Sequence, residues 1–125
     1  MVINLTPHEV AIFHVDEAIA WNSVKRWYDV ITEPKLLEIF PPSGKVARCQ
    51  QKEIFCDRID GIPVLDTVYG EVENLPPPCK DTWYIVSRYV ANAAREQGRT
   101  DLLVPTRMIR AQDGNIIGCT ALSKR

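Results

Sequence analysis

Long apolar runs are missing from this chain of 125 residues: nothing approaches membrane-spanning length. The opening MVINLTPHEVAIF has no basic leader ahead of an apolar stretch, so a soluble intracellular protein is the expectation. Cysteines are few and form no CxxC pair. Cys49, Cys56, Cys79 and Cys119 stand far apart, which reads as buried thiols rather than a zinc site or a disulfide framework. Only His8 and His14 represent histidine, both early among apolar residues and without metal-ligand spacing. A Ser or Cys nucleophile would need a neighbouring His, and no elbow sequence occurs, so covalent catalysis is disfavoured. The carboxylates Asp57, Asp60, Asp66 and Glu71 read as solvated hairpin surface rather than an acid/base pair. A large charge of either sign is also absent; a net charge of −1 argues against binding DNA or RNA polymers through bulk electrostatics.

What is present is an internal charge asymmetry. Residues 1–82 carry 8 Lys/Arg against 13 Asp/Glu, net −5, whereas residues 83–125 carry 7 against 3, net +4. A fold that gathers the late cations in one place would create a local anion site on a nearly neutral protein. The densest region runs from Trp83 to Arg110. A helix over residues 87–97, capped by Ser87 and ended by Gly98, would put Val86, Tyr89, Val90, Ala93 and Ala94 on one face. Arg88, Asn92, Arg95 and Arg99 would lie on the other. With Trp83, Tyr84, Arg107 and Arg110 nearby, this is an inventory suited to a small phosphorylated, base-bearing ligand.

Elsewhere the pattern predicts a first strand at residues 10–15 and an amphipathic helix over 16–31. That helix carries Ala18, Ile19, Trp21, Val24, Trp27, Tyr28 and Ile31 at three- and four-residue intervals. Asn22 or Ser23 would cap a shorter version, and the two tryptophans would be core or would cover a subunit contact. Residues 35–40 read as extended, and Pro41-Pro42-Ser43-Gly44 as a turn. Pro42-Ser43-Gly44-Lys45 lacks the leading glycine and trailing Ser/Thr of a phosphate loop. Residues 45–51 alternate as a strand, and residues 54–59 pair with 64–72 across Asp60-Gly61. Residues 74–81 form a proline-rich connection, 82–86 a strand and 102–105 another, and 107–111 pairs with 115–121 across Asp113-Gly114. One α+β domain over 1–125 is expected, with a mostly antiparallel sheet of short strands and hairpins and two helices.

An ordered series of short segments carries a family likeness. Asn4-Leu5-Thr6-Pro7-His8, the turn and strand Pro42 to Arg48, Gly61-Ile62-Pro63-Val64 and Tyr69-Gly70-Glu71-Val72 with Leu75-Pro76 form its first part. Tyr84-Ile85-Val86-Ser87, Leu103-Val104-Pro105 and Asn115-Ile116-Ile117-Gly118-Cys119 complete it. Taken together they resemble the Thoeris anti-defence type 1 proteins, phage sponges that sequester immune signalling nucleotides. The likeness spans nearly the whole chain except residues 16–37, which read as a helical insertion. It implies no catalysis and no cofactor or metal. It also implies capture of intact glycocyclic ADP-ribose signals, cyclic trinucleotides in some members, and inhibition of Thoeris- or CBASS-type immunity in the cytoplasm of an infected bacterium. Homo-oligomers, dimers and hexamers with pockets between protomers, are implied as well. The family's ligand contacts would fall on Trp83 or Tyr84, Asn92, Arg107 and Arg110, with Arg48 a further candidate, and Arg88 joins the candidate ligand residues from the polar face of the helix. A small nucleotide hydrolase and a structural virion or interaction protein using Trp21 and Trp27 are the alternative readings.

Overall fold

Local turn chemistry sets the strand boundaries in this protein. The structure, a computed structural model, describes residues 1–125. In chain order the elements are β1 (Val2–Asn4), β2 (Val10–Phe13), β3 (Ile19–Asn22), β4 (Trp27–Val30), β5 (Leu36–Phe40), β6 (Arg48–Ile59) and β7 (Ile62–Glu73). They continue with β8 (Trp83–Ile85), α1 (Arg88–Glu96), β9 (Leu102–Arg110) and β10 (Ile116–Ser123). At the tip of the β6–β7 ribbon, Asp60 (φ 51°) and Gly61 (φ 80°) both adopt positive φ, the geometry that lets a two-residue loop follow strand twist. The β9–β10 connection closes through Gly114 (φ 86°), whose N–H donates to the Ala111 carbonyl at 2.9 Å.

Two expectations fail here. The chain is mostly β, with 52% of residues in strands and 7% in a single helix, so the two-helix α+β reading is wrong. Nor is the sheet mostly antiparallel. Eight strands form one mixed sheet in the order β1-β8-β9-β10-β2-β5, with β4 joining the far half of β9 and β3 pairing with β4. Four of its seven pairings are parallel: β1–β8, β8–β9, β4–β9 and β2–β10. The sheet nearly closes on itself, because Pro42, just past β5, bridges to Asn4 of β1.

Residues 16–31, and with them the helical insertion expected over 16–37, hold no helix. They form the β3–β4 hairpin, in which Ile19 faces Val30 and Trp21 faces Tyr28. The side-chain carbonyl of Asn22 accepts from the N–H groups of Val24 and Lys25 at 3.1 and 3.0 Å, and Arg26 turns the chain with φ 63°. Asn22, read as a possible helix cap, caps a turn. The three-and-four spacing is a coincidence of two short strands. What decides in favour of strands is parallel pairing of Tyr28 and Asp29 with Ile109 and Arg110, about eighty residues downstream.

Helix α1 matches the expected position. Ser87 accepts from the Val90 N–H at 3.3 Å, and Gly98 (φ 92°) ends the helix with its N–H on the Arg95 carbonyl. A nine-residue helix is unstable alone, so burial of Val90, Ala91, Ala93 and Ala94 against the sheet holds it. Tyr89, expected on that buried face, is 56% exposed. Strand alternation divides β8: Tyr84 packs under α1 with Leu5, Val86, Val90, Leu102 and Val104, while Ile85 enters a second cluster with Val10, Ile12 and Cys119. Burying such a side chain contributes about 1.5–3 kcal/mol. Of the cysteines only Cys119 is buried; Cys56 and Cys79 are exposed, Cys49 is intermediate, and all four are free thiols. No helix is long and apolar enough to cross a membrane.

Candidate functional site

The polar stripe of α1 is built by helical spacing. Arg88, Asn92 and Arg95 recur at i, i+4 and i+7 and therefore project on one side, away from the buried alanines. Asn92 accepts a long 3.5 Å hydrogen bond from Arg95 Nη1. Beyond Gly98 the chain reverses through Arg99, Thr100 and Asp101 into β9, and the segment after β10 brings Lys124 and Arg125 alongside. A recess of about 600 Å³ lies there, lined by Arg95, Arg99, Lys124 and Arg125 together with Gly98, Thr100 and Leu102.

Electrostatics in this recess are one-sided. Arg99 grips Asp101 with Nε and Nη2, both at 2.9 Å, and the pair is only 16% and 15% exposed. The Arg99 hydrogen bonds hold the Asp101 carboxyl below its usual range, outweighing the opposing effect of burial. Arg99 is thereby neutralised, whereas Arg95, Lys124 and Arg125 have no acidic partner. Lys124 Nζ stands 5.2 Å from the Trp83 ring centroid, so an aromatic surface borders the basic one.

The other residues expected to contact a ligand lie elsewhere. Tyr84 is 3% exposed and belongs to the core, with Arg99 over its ring at 6.0 Å, so it offers no stacking face. Arg88 is exposed at the start of α1. Arg107 and Arg110 stack on the β3–β4 hairpin, with guanidinium carbons 4.5 Å from the Trp21 centroid and 4.7 Å from that of Trp27. Arg110 Nη1 also donates to the Gly114 carbonyl at 2.7 Å, while its buried Nε has no partner. Arg48 lines a separate recess of about 450 Å³ beside Gln50, Glu73, Ser87 and Tyr89. None of the seven residues lines the basic recess itself: Trp83 meets it through Lys124 and Asn92 through Arg95, while Arg88 stands at the opposite end of α1.

Sequence reasoning missed Lys124 and Arg125, although the late positive surplus was the clue. It also missed Trp21 and Trp27 as partners of Arg107 and Arg110, because a helix there gave no reason to bring them to β9. Comparison with family models, curated proteins and solved structures returned no match to this chain.

Proposed function

We propose that this protein captures a small, doubly phosphorylated, base-bearing signal of the glycocyclic ADP-ribose class and holds it unaltered. This is the sponge behaviour of the anti-defence family its sequence resembles, exercised inside an infected bacterium. The observation that carries the reading is the basic recess. About 600 Å³ suits a ligand of this size, and Arg95, Lys124 and Arg125 supply cations for two phosphates. Charge-assisted hydrogen bonds contribute roughly 1.5–3 kcal/mol each, so a few of them support tight capture. Trp83 offers a ring beside Lys124 for the base, and Asn92 offers an amide for a ribose hydroxyl. Cyclic trinucleotides present the same phosphates and bases and are the second ligand class to examine.

Calorimetry with a glycocyclic ADP-ribose tests the proposal. Heat of binding is expected, with the ligand recovered intact after heat-denaturing the complex. Lys124→Glu should weaken binding by more than about tenfold, or ~1.4 kcal/mol, while Arg107→Ala leaves it nearly unchanged. The reverse ranking would move the site to the tryptophan hairpin. No heat at micromolar protein, or recovery of a cleaved product, would refute capture.

A further inference from the structure

Lys124 touches two surfaces. Its side chain lines the basic recess at the end of α1 together with Arg95, Arg99 and Arg125, and its Nζ stands 5.2 Å from the centroid of the Trp83 ring. Strand alternation puts Trp83 on the face of β8 opposite Tyr84, which packs under α1, so Lys124 stands at the rim between the recess and the ring. The main chain around it is held: the Ser123 hydroxyl accepts from the Arg125 N–H at 3.1 Å and donates to the Arg125 carbonyl at 2.5 Å. The side chain is exposed and has no acidic partner. Only a flexible four-carbon stem therefore governs where its ammonium rests. Trp21 and Trp27 carry arginines of their own on the β3–β4 hairpin, which leaves Trp83 as the indole beside the recess.

We propose that Lys124 is the specificity determinant of the capture site, making base stacking on Trp83 conditional on phosphate in the recess. This rests on the capture reading and deepens it. Without a ligand the ammonium covers the ring. A neutral nucleoside gives that ammonium no new partner, so stacking has to displace it, and an exposed ammonium–indole contact is worth about two- to fivefold in affinity. A phosphate in the recess offers a charge-assisted hydrogen bond worth more than about tenfold, which outweighs the ring contact and draws the ammonium away. The ring is then open to the base of the same molecule. Phosphorylated and unphosphorylated ligands are thus told apart at a residue that touches both halves of the site, and nucleosides are kept off the stacking face.

Fluorine NMR of the chain labelled with 5-fluorotryptophan tests this, because its three tryptophans give three signals and Trp83→Phe identifies one of them. Pyrophosphate, which has no ring, should shift the Trp83 signal of the parent and leave it unmoved in Lys124→Ala. Adenosine should bind Lys124→Ala about threefold more tightly than the parent, while pyrophosphate binds it about tenfold more weakly. Lys124→Arg, which keeps the charge and the ring contact, should restore the parental order. A lysine that only adds positive charge would lower pyrophosphate affinity on removal but leave adenosine unchanged. Adenosine affinity equal or lower in Lys124→Ala, or a Trp83 signal that ignores pyrophosphate in the parent, would overturn the proposal while calorimetry on glycocyclic ADP-ribose still shows capture. Absence of binding by both pyrophosphate and glycocyclic ADP-ribose in the parent would overturn the capture reading and this one together.

Discussion

The side-chain amide of Asn4 donates to the carbonyl of Phe40 at 2.9 Å, tying the first strand of the sheet to the last. The same amide donates to the His8 carbonyl at 2.8 Å, and its oxygen accepts from the Thr6 N–H and hydroxyl at 2.9 and 2.7 Å. At 2% exposure Asn4 is one of two buried polar residues, and every hydrogen-bonding group on its side chain is engaged. It is the point at which an open mixed sheet becomes nearly closed.

Replacing Asn4 with Leu removes the acceptor of the partly buried Thr6 N–H and one donor each from the His8 and Phe40 carbonyls, of which the His8 carbonyl keeps the Thr6 hydroxyl at 3.0 Å. A loss of about 2–4 kcal/mol is expected, because unsatisfied buried groups cost more than a hydrogen bond gains. Urea unfolding of the two chains measures it. A change within a few tenths would mean that the seam does not depend on this side chain.

Gly118 on β10 is set by close approach rather than by dihedral freedom. A methyl group there would lie 2.7 Å from the Ala11 carbonyl oxygen and 2.6 Å from the Phe13 ring, and the carbonyl belongs to the backbone of β2. Gly118→Ala should destabilise the fold by about 1–3 kcal/mol, the usual range for overpacking. Thermal unfolding followed by circular dichroism checks this, and an unchanged midpoint would contradict it.

Arg107 holds φ at 55°, a left-handed conformation that costs a non-glycine residue about 1–2 kcal/mol. It lies where β9 exchanges one neighbour for another, pairing with β8 at Leu102 and Leu103 and with β4 at Ile109 and Arg110. Arg107→Ala removes the Trp21 stack and keeps the strain; Arg107→Gly removes both. The glycine variant is therefore expected to be more stable than the alanine variant by about 1 kcal/mol in denaturant melts. The opposite order would place the bend's cause elsewhere.

Asp101 couples the basic recess to acidity. Its folded pKa is depressed, so its pairing with Arg99 stabilises the fold fully above the unfolded value near about 3.9 and is lost as pH falls through the folded value. Acid unfolding monitored below the ordinary carboxylate range should show this loss in the parent, and Asp101→Asn should flatten it. The same substitution frees the Arg99 fork to meet phosphate, so pyrophosphate binding by calorimetry should strengthen severalfold. Weaker binding by a folded Asn variant would mean that Asp101 orients Arg99 productively.

Short-range chemistry was legible residue by residue. Asp60-Gly61 and Asp113-Gly114 mark real hairpins, Ser87 and Gly98 bracket the real helix, and the proline-rich segment between β7 and β8 is irregular as expected. Each depends on a φ preference or on a side chain reaching its own backbone a few residues away. Thr106 did not interrupt β9, however, and the strands foreseen at 102–105 and 107–111 are one. Likewise Trp21 and Trp27 recur at helical intervals but lie in strands, because β9 supplies pairing that no local window contains.

Amino-acid order by itself determined where the chain turns, where its helix begins and ends, and that positive charge accumulates late. Tertiary structure alone decided which distant strands run parallel, that Tyr84 is core while Trp83 meets Lys124, and that the late arginines divide between a recess and a pair of indoles. The physical reason is range: turns and caps are settled within about five residues, whereas parallel pairing and charge convergence depend on contacts whose loop-closure cost and burial gain belong to the whole fold.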